Sequence, residues 1–232
     1  MPNRITDISL RQAAIVAGVG LLIMTMLAPF AEFYVRQSLV VRGDATTTAN
    51  NIAANESLFR IAICGYLIVA VLDVVVAWSL YVLLKPVNES LSLLTAWFRV
   101  VYAAIFAIAL HNLFSVLLLV SGTDYLTVFE TDQLHAQVML FLNGFSYGWD
   151  IGVIFFGLHL FVLGYLVFKS GYIPRILGVL LIITSLGYLV DTFGKFLSPN
   201  YSVAVATFTF IGEVLFMLWL LLKGAKIPEM KS

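Results

Sequence analysis

Charge is what this chain has least of. Only 11% of its 232 residues are Asp, Glu, Lys or Arg, and 13 basic side chains balance 13 acidic ones. A soluble domain carries about a quarter charged residues, so a soluble globular class is excluded. No run of Lys or Arg occurs, which removes nucleic acid and a polybasic lipid patch as partners. Cys64 is the only cysteine. It cannot form an intrachain disulfide and reads as a small buried residue. Catalytic signatures are missing too: there is no HExxH, no GxSxG, and no Walker or dinucleotide fingerprint. The three histidines, His111, His135 and His159, share no i, i+3 or i+4 spacing, so a metal centre lacks its ligand pattern. No cofactor or metal is expected. The balance is against an enzyme, an intramembrane metal-dependent hydrolase being the least favoured reading.

What the chain has in abundance is apolar sequence, 61% of residues, with a mean hydropathy of +1.00. A helix crosses a hydrocarbon core with about 20 residues. Six stretches are long enough, over residues 12–35, 58–84, 91–120, 138–168, 174–197 and 202–222. Runs such as Val-Leu-Leu-Ile-Ile at 179–183 do not alternate with polar residues, which excludes the strands of a transmembrane barrel. The expected fold is therefore all-α, one domain over residues 1–232 built as a bundle of six transmembrane helices. The first run is too long for a signal-peptide core and has no A-x-A site, so it reads as a retained helix.

Positive residues assign the sides. Arg4, Arg11, Lys85, Lys169, Arg175, Lys223, Lys226 and Lys231 fall on the side that holds both termini, which is expected to be cytoplasmic. The opposite side has Arg36, Arg42 and Arg60 around the first loop, and Lys195. Lys85-Pro86 with Asn88, Gly171 with Pro174, and Ser198-Pro199-Asn200 read as turns. Residues 36–57 read as a flexible loop, and 121–137 as a connection holding an interfacial half-helix.

Against this background, Asp73, Arg99, His111, Asp150, His159, Asp191 and Glu213 stand inside apolar runs. An ionisable group at bilayer depth costs about 3 kcal/mol or more without a partner or water, so the bundle needs a polar interior. Counting helical rise places Asp73 and Arg99 at one level, as a buried ion pair. Its bland reading is purely structural. A second layer, nearer the outer face, would collect His111, Asp150, Asp191 and Glu213, with Asp191 and Lys195 four residues apart on one face. In the fourth run Gly144, Gly148 and Gly152 form a small-residue ridge for a packed neighbour. Asn143, Tyr147 and Asp150 fall on the opposite face. They are expected to line, with His111, Asp191 and Glu213, one polar cavity that binds a ligand or ion. For each histidine the bland reading is a hydrogen-bonded core residue.

These features favour small-molecule or ion binding, or a transport-type role, with a structural or assembly protein as the alternative. Membrane lipids are expected partners, and a homo-oligomer could supply the second half that a six-helix transporter lacks. The stretches VVVAWSLYVLLKPVNESLSLLTAWFRVVYAAIFA at 74–107 and FFGLHLFVLGYLVFKSGYIPRILGVLLIITSLGYLVDTF at 155–193, with the Lys85-Pro86 and Gly171-to-Arg175 turns, resemble the bacterial family of domain of unknown function 4386. The resemblance implies a multi-pass bacterial cytoplasmic-membrane protein. It implies no substrate, cofactor or catalytic residue.

Overall fold

The computed structural model describes residues 8–198 and 200–227; Arg4, Pro199 and Lys231 of the sequence argument lie outside the described residues. Helix α1 (Leu10–Pro29) continues through a π-helical stretch, Phe30–Arg36, into α2 (Gln37–Leu39). There follow α3 (Ala45–Ala54), α4 (Glu56–Leu84), α5 (Glu89–Val120), a 3-10 turn at Asp124–Val128, α6 (Thr131–Lys169), α7 (Arg175–Leu197), α8 (Ala206–Thr209) and α9 (Ile211–Lys223). No strand occurs among the described residues. Six spans are long and apolar enough to cross a membrane: Leu10–Leu39, Glu56–Leu84, Glu89–Val120, Thr131–Lys169, Arg175–Leu197 and Ala206–Lys226.

Local chemistry sets the breaks. Pro29 has no N–H to donate and its ring crowds the preceding turn, and the helix widens there: the Gln37 N–H reaches the Glu32 carbonyl, five residues back. Asn88 caps α5 by accepting the Leu91 N–H at 2.9 Å. Asn55, in the same Asn-Glu-Ser-Leu context, instead donates its side chain to the Asn51 carbonyl at 2.9 Å and so closes α3. Gly171 takes a left-handed φ of +75°, open to residues without a Cβ, just ahead of Pro174 at the start of α7. The Tyr172 hydroxyl ties that turn to the end of α4, donating to the Leu83 carbonyl at 2.6 Å. Burial there pushes the Tyr172 hydroxyl up to about 12.

Residues 36–57 are not the flexible loop that their Thr, Asn and Ala content suggests. They hold α3, whose cap Asp44 accepts from the Thr47 N–H at 2.9 Å and from its hydroxyl at 2.7 Å. The fourth span also starts earlier than its hydropathy indicates, at Thr131 and not 138.

Two compact units divide the contacts. The first comprises the described residues within 1–22, 72–102 and 153–232. Within it α7 packs closely on both sides: a Cβ added to Gly164 would lie 2.7 Å from the Gly178 carbonyl oxygen, and one on Gly212 2.7 Å from that of Leu180. The second comprises residues 23–71 and 103–152. There the glycine ridge of α6 meets α5. A Cβ on Gly144 would come within 2.8 Å of Asn112 Oδ1, and one on Gly148 within 2.7 Å of Ala109 Cβ. Each unit contains one buried polar centre.

Candidate functional site

In the first unit, helix length sets the level of every charged group. Asp73 precedes the end of α4, and Arg99 follows the start of α5, by about ten residues, or about 15 Å of helix. The turn at 85–88 is short, so the two arrive at one level. His159 precedes the end of α6, and Glu213 the end of α9, by the same spacing of about 15 Å. A hydrocarbon core is about 30 Å thick, so this is a polar layer well inside an apolar unit.

Arg99 is its hub. Its Nη2 lies 2.7 Å from Asp73 Oδ1, with the two side chains 2% and 0% exposed. Its Nη1 lies 3.2 Å from His159 Nε2. The protonation of that imidazole follows from its other nitrogen: His159 Nδ1 stands 2.8 Å from the Thr95 carbonyl, which can only accept. Nδ1 therefore carries the proton and Nε2 offers its lone pair to Arg99, the ring being neutral. Thr95 returns the contact, its hydroxyl donating to the His159 carbonyl at 2.8 Å, so the same two residues clamp α5 to α6. Beneath the hub the Phe156 ring takes Arg99 Cζ at 5.3 Å from its centroid and stacks near His159 at 5.8 Å. Tyr102 and Tyr188 flank the same ring, at 4.9 and 5.8 Å.

Glu213 completes the layer. It shares with Arg99 a cavity of about 10 Å³, walled by Leu21, Leu80, Leu160 and Phe216 among others. That volume holds about one water molecule. Asp73 keeps no hydrogen-bond donor on Oδ2 among the described residues. The centre thus sets one guanidinium against two carboxyl groups and one neutral imidazole, with Asp73, Arg99 and His159 buried and Glu213 part-covered.

The second unit holds a different centre. Glu32 accepts from Arg36 Nε at 2.7 Å, from the Tyr66 hydroxyl at 2.7 Å and from Gln37 Nε2 at 3.1 Å. The π-helical turn makes this possible, since it brings positions i+4 and i+5 over one carboxylate. Arg36 also reaches Ser146 Oγ at 3.4 Å and lies over the Phe145 ring at 5.5 Å. Tyr66, Phe106, Phe145 and Trp149 pack around it, with adjacent centroids such as Tyr66 and Phe145 at 5.6 Å. Sequence reasoning counted Arg36 as a loop charge and missed Glu32. The available signal was the i, i+4 spacing of opposite charges just after Pro29.

The residues read from sequence as one cavity have separate fates. His111, Asn143 and Tyr147 are exposed on the second unit, Tyr147 at 63%, and Asp150 is part-covered. The glycine ridge faces α5, and the polar stripe of α6 turns outward. Asp191 is occupied elsewhere, as the cap of α8: it accepts from the Val205 and Ala206 N–H groups at 2.9 and 2.7 Å and from the Tyr201 hydroxyl at 2.7 Å. Glu213 belongs to the Arg99 layer and not to a separate outer one. Trp78 and Trp97 are exposed, and so is Cys64, against its reading as a small buried residue. Among the described residues no group of three His, Cys, Asp or Glu could hold a metal ion.

Similarity to known proteins gives the family and adds no chemistry to this centre. An uncharacterized protein of Archaeoglobus fulgidus is 41% identical over 171 residues, which is 74% of this chain and 88% of that protein. No solved structure matches. A relative from an archaeon also widens the bacterial setting that the resemblance implied. With six apolar spans and a match over residues 16–224 to the family described as "Domain of unknown function (DUF4386)", the chain belongs to that family, a multi-pass membrane protein of unknown function.

Proposed function

We propose that the chain is a membrane-embedded binding or transport-type protein whose working group is the Arg99 layer, with a proton as the bound species. One observation carries this reading: Glu213 and Arg99 face a cavity of about 10 Å³ at span depth. The size argues the ligand class. Organic ligands occupy pockets of about 300 Å³ or more, whereas this space suits one water, so a proton moving between Glu213 and that water fits. The charge count argues the same way. One guanidinium opposes Asp73 and Glu213, so adding one proton takes the enclosed centre from net negative to neutral, a large local change in a low-dielectric interior.

The structural alternative keeps support from the other half of the layer, where Asp73, Arg99, Thr95 and His159 are buried and locked to one another. Infrared titration of the full chain in liposomes separates the two. A carboxyl C=O band that appears on acidification and disappears in Glu213→Gln supports proton binding; a wild-type spectrum without a titrating carboxyl band at Glu213 leaves the charges as bundle locks. Both termini are proposed to be cytoplasmic, on the distribution of Lys and Arg. With exposed Cys64 replaced by Ala, single cysteines at Ala45 and Val128 should label from outside; labelling from the cytoplasmic side alone overturns that orientation.

A further inference from the structure

The outward polar stripe of the second unit needs an explanation. Two contacts fix how α5 and α6 pack there: Ala109 against Gly148 and Asn112 against Gly144. As the number rises on one helix it falls on the other, so the helices are antiparallel. On antiparallel helices the residue before each contact position turns toward the same side of the seam, because the 100° step runs in opposite senses when viewed from one end. Asn112 and Gly144 therefore bring His111 and Asn143 side by side, at one level, on one face. Ala109 and Gly148 do the same one turn away for Ile108 and Tyr147.

That face is unprotected. Ile108 is 73% and Tyr147 63% exposed, and His111 and Asn143, one turn away, are exposed as well. The His111, Asn143 and Tyr147 side chains take no hydrogen-bond partner among the described residues. Yet the nine residues that follow His111 to the end of α5 include only Asn112 and Ser115 as polar ones, so His111 sits about 13 Å of helix inside an apolar segment. Acyl chains offer it neither donor nor acceptor, and polar side chains at such depth hydrogen-bond across helices.

We infer that this face binds a second copy of the chain about a two-fold axis along the bilayer normal, with His111 of one protomer hydrogen-bonded to Asn143 of the partner subunit. The equal depth of the pair selects this occupant. Two copies inserted in the same orientation can be related by such an axis without changing depth, so groups that share a level meet one another twice, once on each side of the axis. The pair is also chemically self-complementary, since imidazole and amide each donate and accept. An unrelated partner would need a matching polar pair at the same depth.

The test is reconstitution of the fluorescently labelled full chain in liposomes at falling protein-to-lipid ratio, counting photobleaching steps. Wild type should be dimeric at high ratio and dissociate on dilution. His111→Leu and Asn143→Leu should each weaken association about tenfold or more, because each removes two symmetric hydrogen bonds, and His111→Gln should largely restore it. In a Cys64→Ala background, Tyr147→Cys should form an interchain disulfide, whereas Ile176→Cys, 61% exposed on the first unit, should not. A chain monomeric at every ratio overturns the inference. So does a dimer unaffected by both leucine variants, or one that cross-links through Ile176→Cys and not Tyr147→Cys.

Discussion

Replacing Asp73 by Asn tests the Arg99 hub most directly. Asp73 is 0% exposed and its Oδ1 lies 2.7 Å from Arg99 Nη2. Arg99 cannot leave with its partner gone, for His159 Nε2 and the Phe156 face still hold the guanidinium. The substitution therefore keeps a buried cation and removes its anion, a change that costs about 3–5 kcal/mol. Arg99→Leu alone should cost a similar amount by leaving the carboxylate enclosed among apolar side chains. In the double variant neither charge of the pair remains. What is left is an amide of similar size, Glu213 facing the cavity without its guanidinium, and a His159 lone pair without its donor, an unsatisfied group worth about 1–3 kcal/mol. The double loss should fall well short of the sum, by at least about 2 kcal/mol.

Reversible unfolding of the purified protein in mixed micelles, followed by tryptophan fluorescence, gives the four free energies of the cycle. Additive losses, agreeing within about 0.5 kcal/mol, would refute the pairing as an energetic unit. A stabilised double variant would be informative in another way. It would mean that desolvating the two charges outweighs their attraction, as replacement of buried pairs by apolar residues often shows, and that the pair is retained for a reason other than stability.

Other perturbations follow from single contacts. Asp191→Ala strips two N–H groups and one hydroxyl of their acceptor, and should destabilise by about 1–3 kcal/mol and speed amide exchange at Val205 and Ala206; unchanged exchange at those two amides would rule out the cap. Gly148→Leu drives a side chain into Ala109, since even a Cβ would sit 2.7 Å away, and should cost about 1–3 kcal/mol by overpacking α5 against α6, read from thermal unfolding. Acidification should unwind α3 selectively. The Thr47 hydrogen bonds hold the Asp44 carboxyl below its ordinary 3.8, so the cap contributes fully above that value and is lost as pH falls through the lower folded one. Protection of the Thr47 amide that persists below that range would refute this account.

Six spans were legible because membrane crossing is a demand on length and hydropathy alone, and 179–183 or 218–222 satisfy it without reference to any other residue. The level of Asp73 and Arg99 was legible too, because a four-residue turn leaves no slack between them. Counting failed where depth along a helix was not compared between helices. Glu213 looked like part of a separate layer, yet it stands about ten residues before the end of α9, the same spacing that Arg99 has from the start of α5. Helix α3 escaped because Thr, Asn and Ala carry little hydropathy signal, although Asp44 with Thr47 three residues on is a cap in its own right. The Glu32–Arg36 pair escaped for a geometric reason: a π-helical turn changes which residues share a face, and no 3.6-residue period anticipates it.

The facing of α6 shows where sequence periodicity stops. Periodicity separates the Gly144–Gly148 stripe from the Asn143–Tyr147 stripe, but it does not say which one turns inward. The polar requirement of a buried cavity and the steric requirement of close packing compete for the same helix face, and the second prevails because Ala109 and Asn112 fit directly over the glycines. Elsewhere in the spans polar and ionisable groups have been gathered inward: Asp73, Arg99 and His159 in one unit, and Glu32, Arg36 and Tyr66 in the other. A chain that encloses six such groups at depth and leaves His111 and Asn143 level with each other on an open face has its remaining hydrogen bonds to make outside itself. If so, the two proposals separate cleanly in one pair of variants. Glu213→Gln should abolish carboxyl titration without changing the count of chains per complex, and His111→Leu should change that count without touching the titration; a variant that moved both readouts together would show the Arg99 layer and the outward face to be one coupled device.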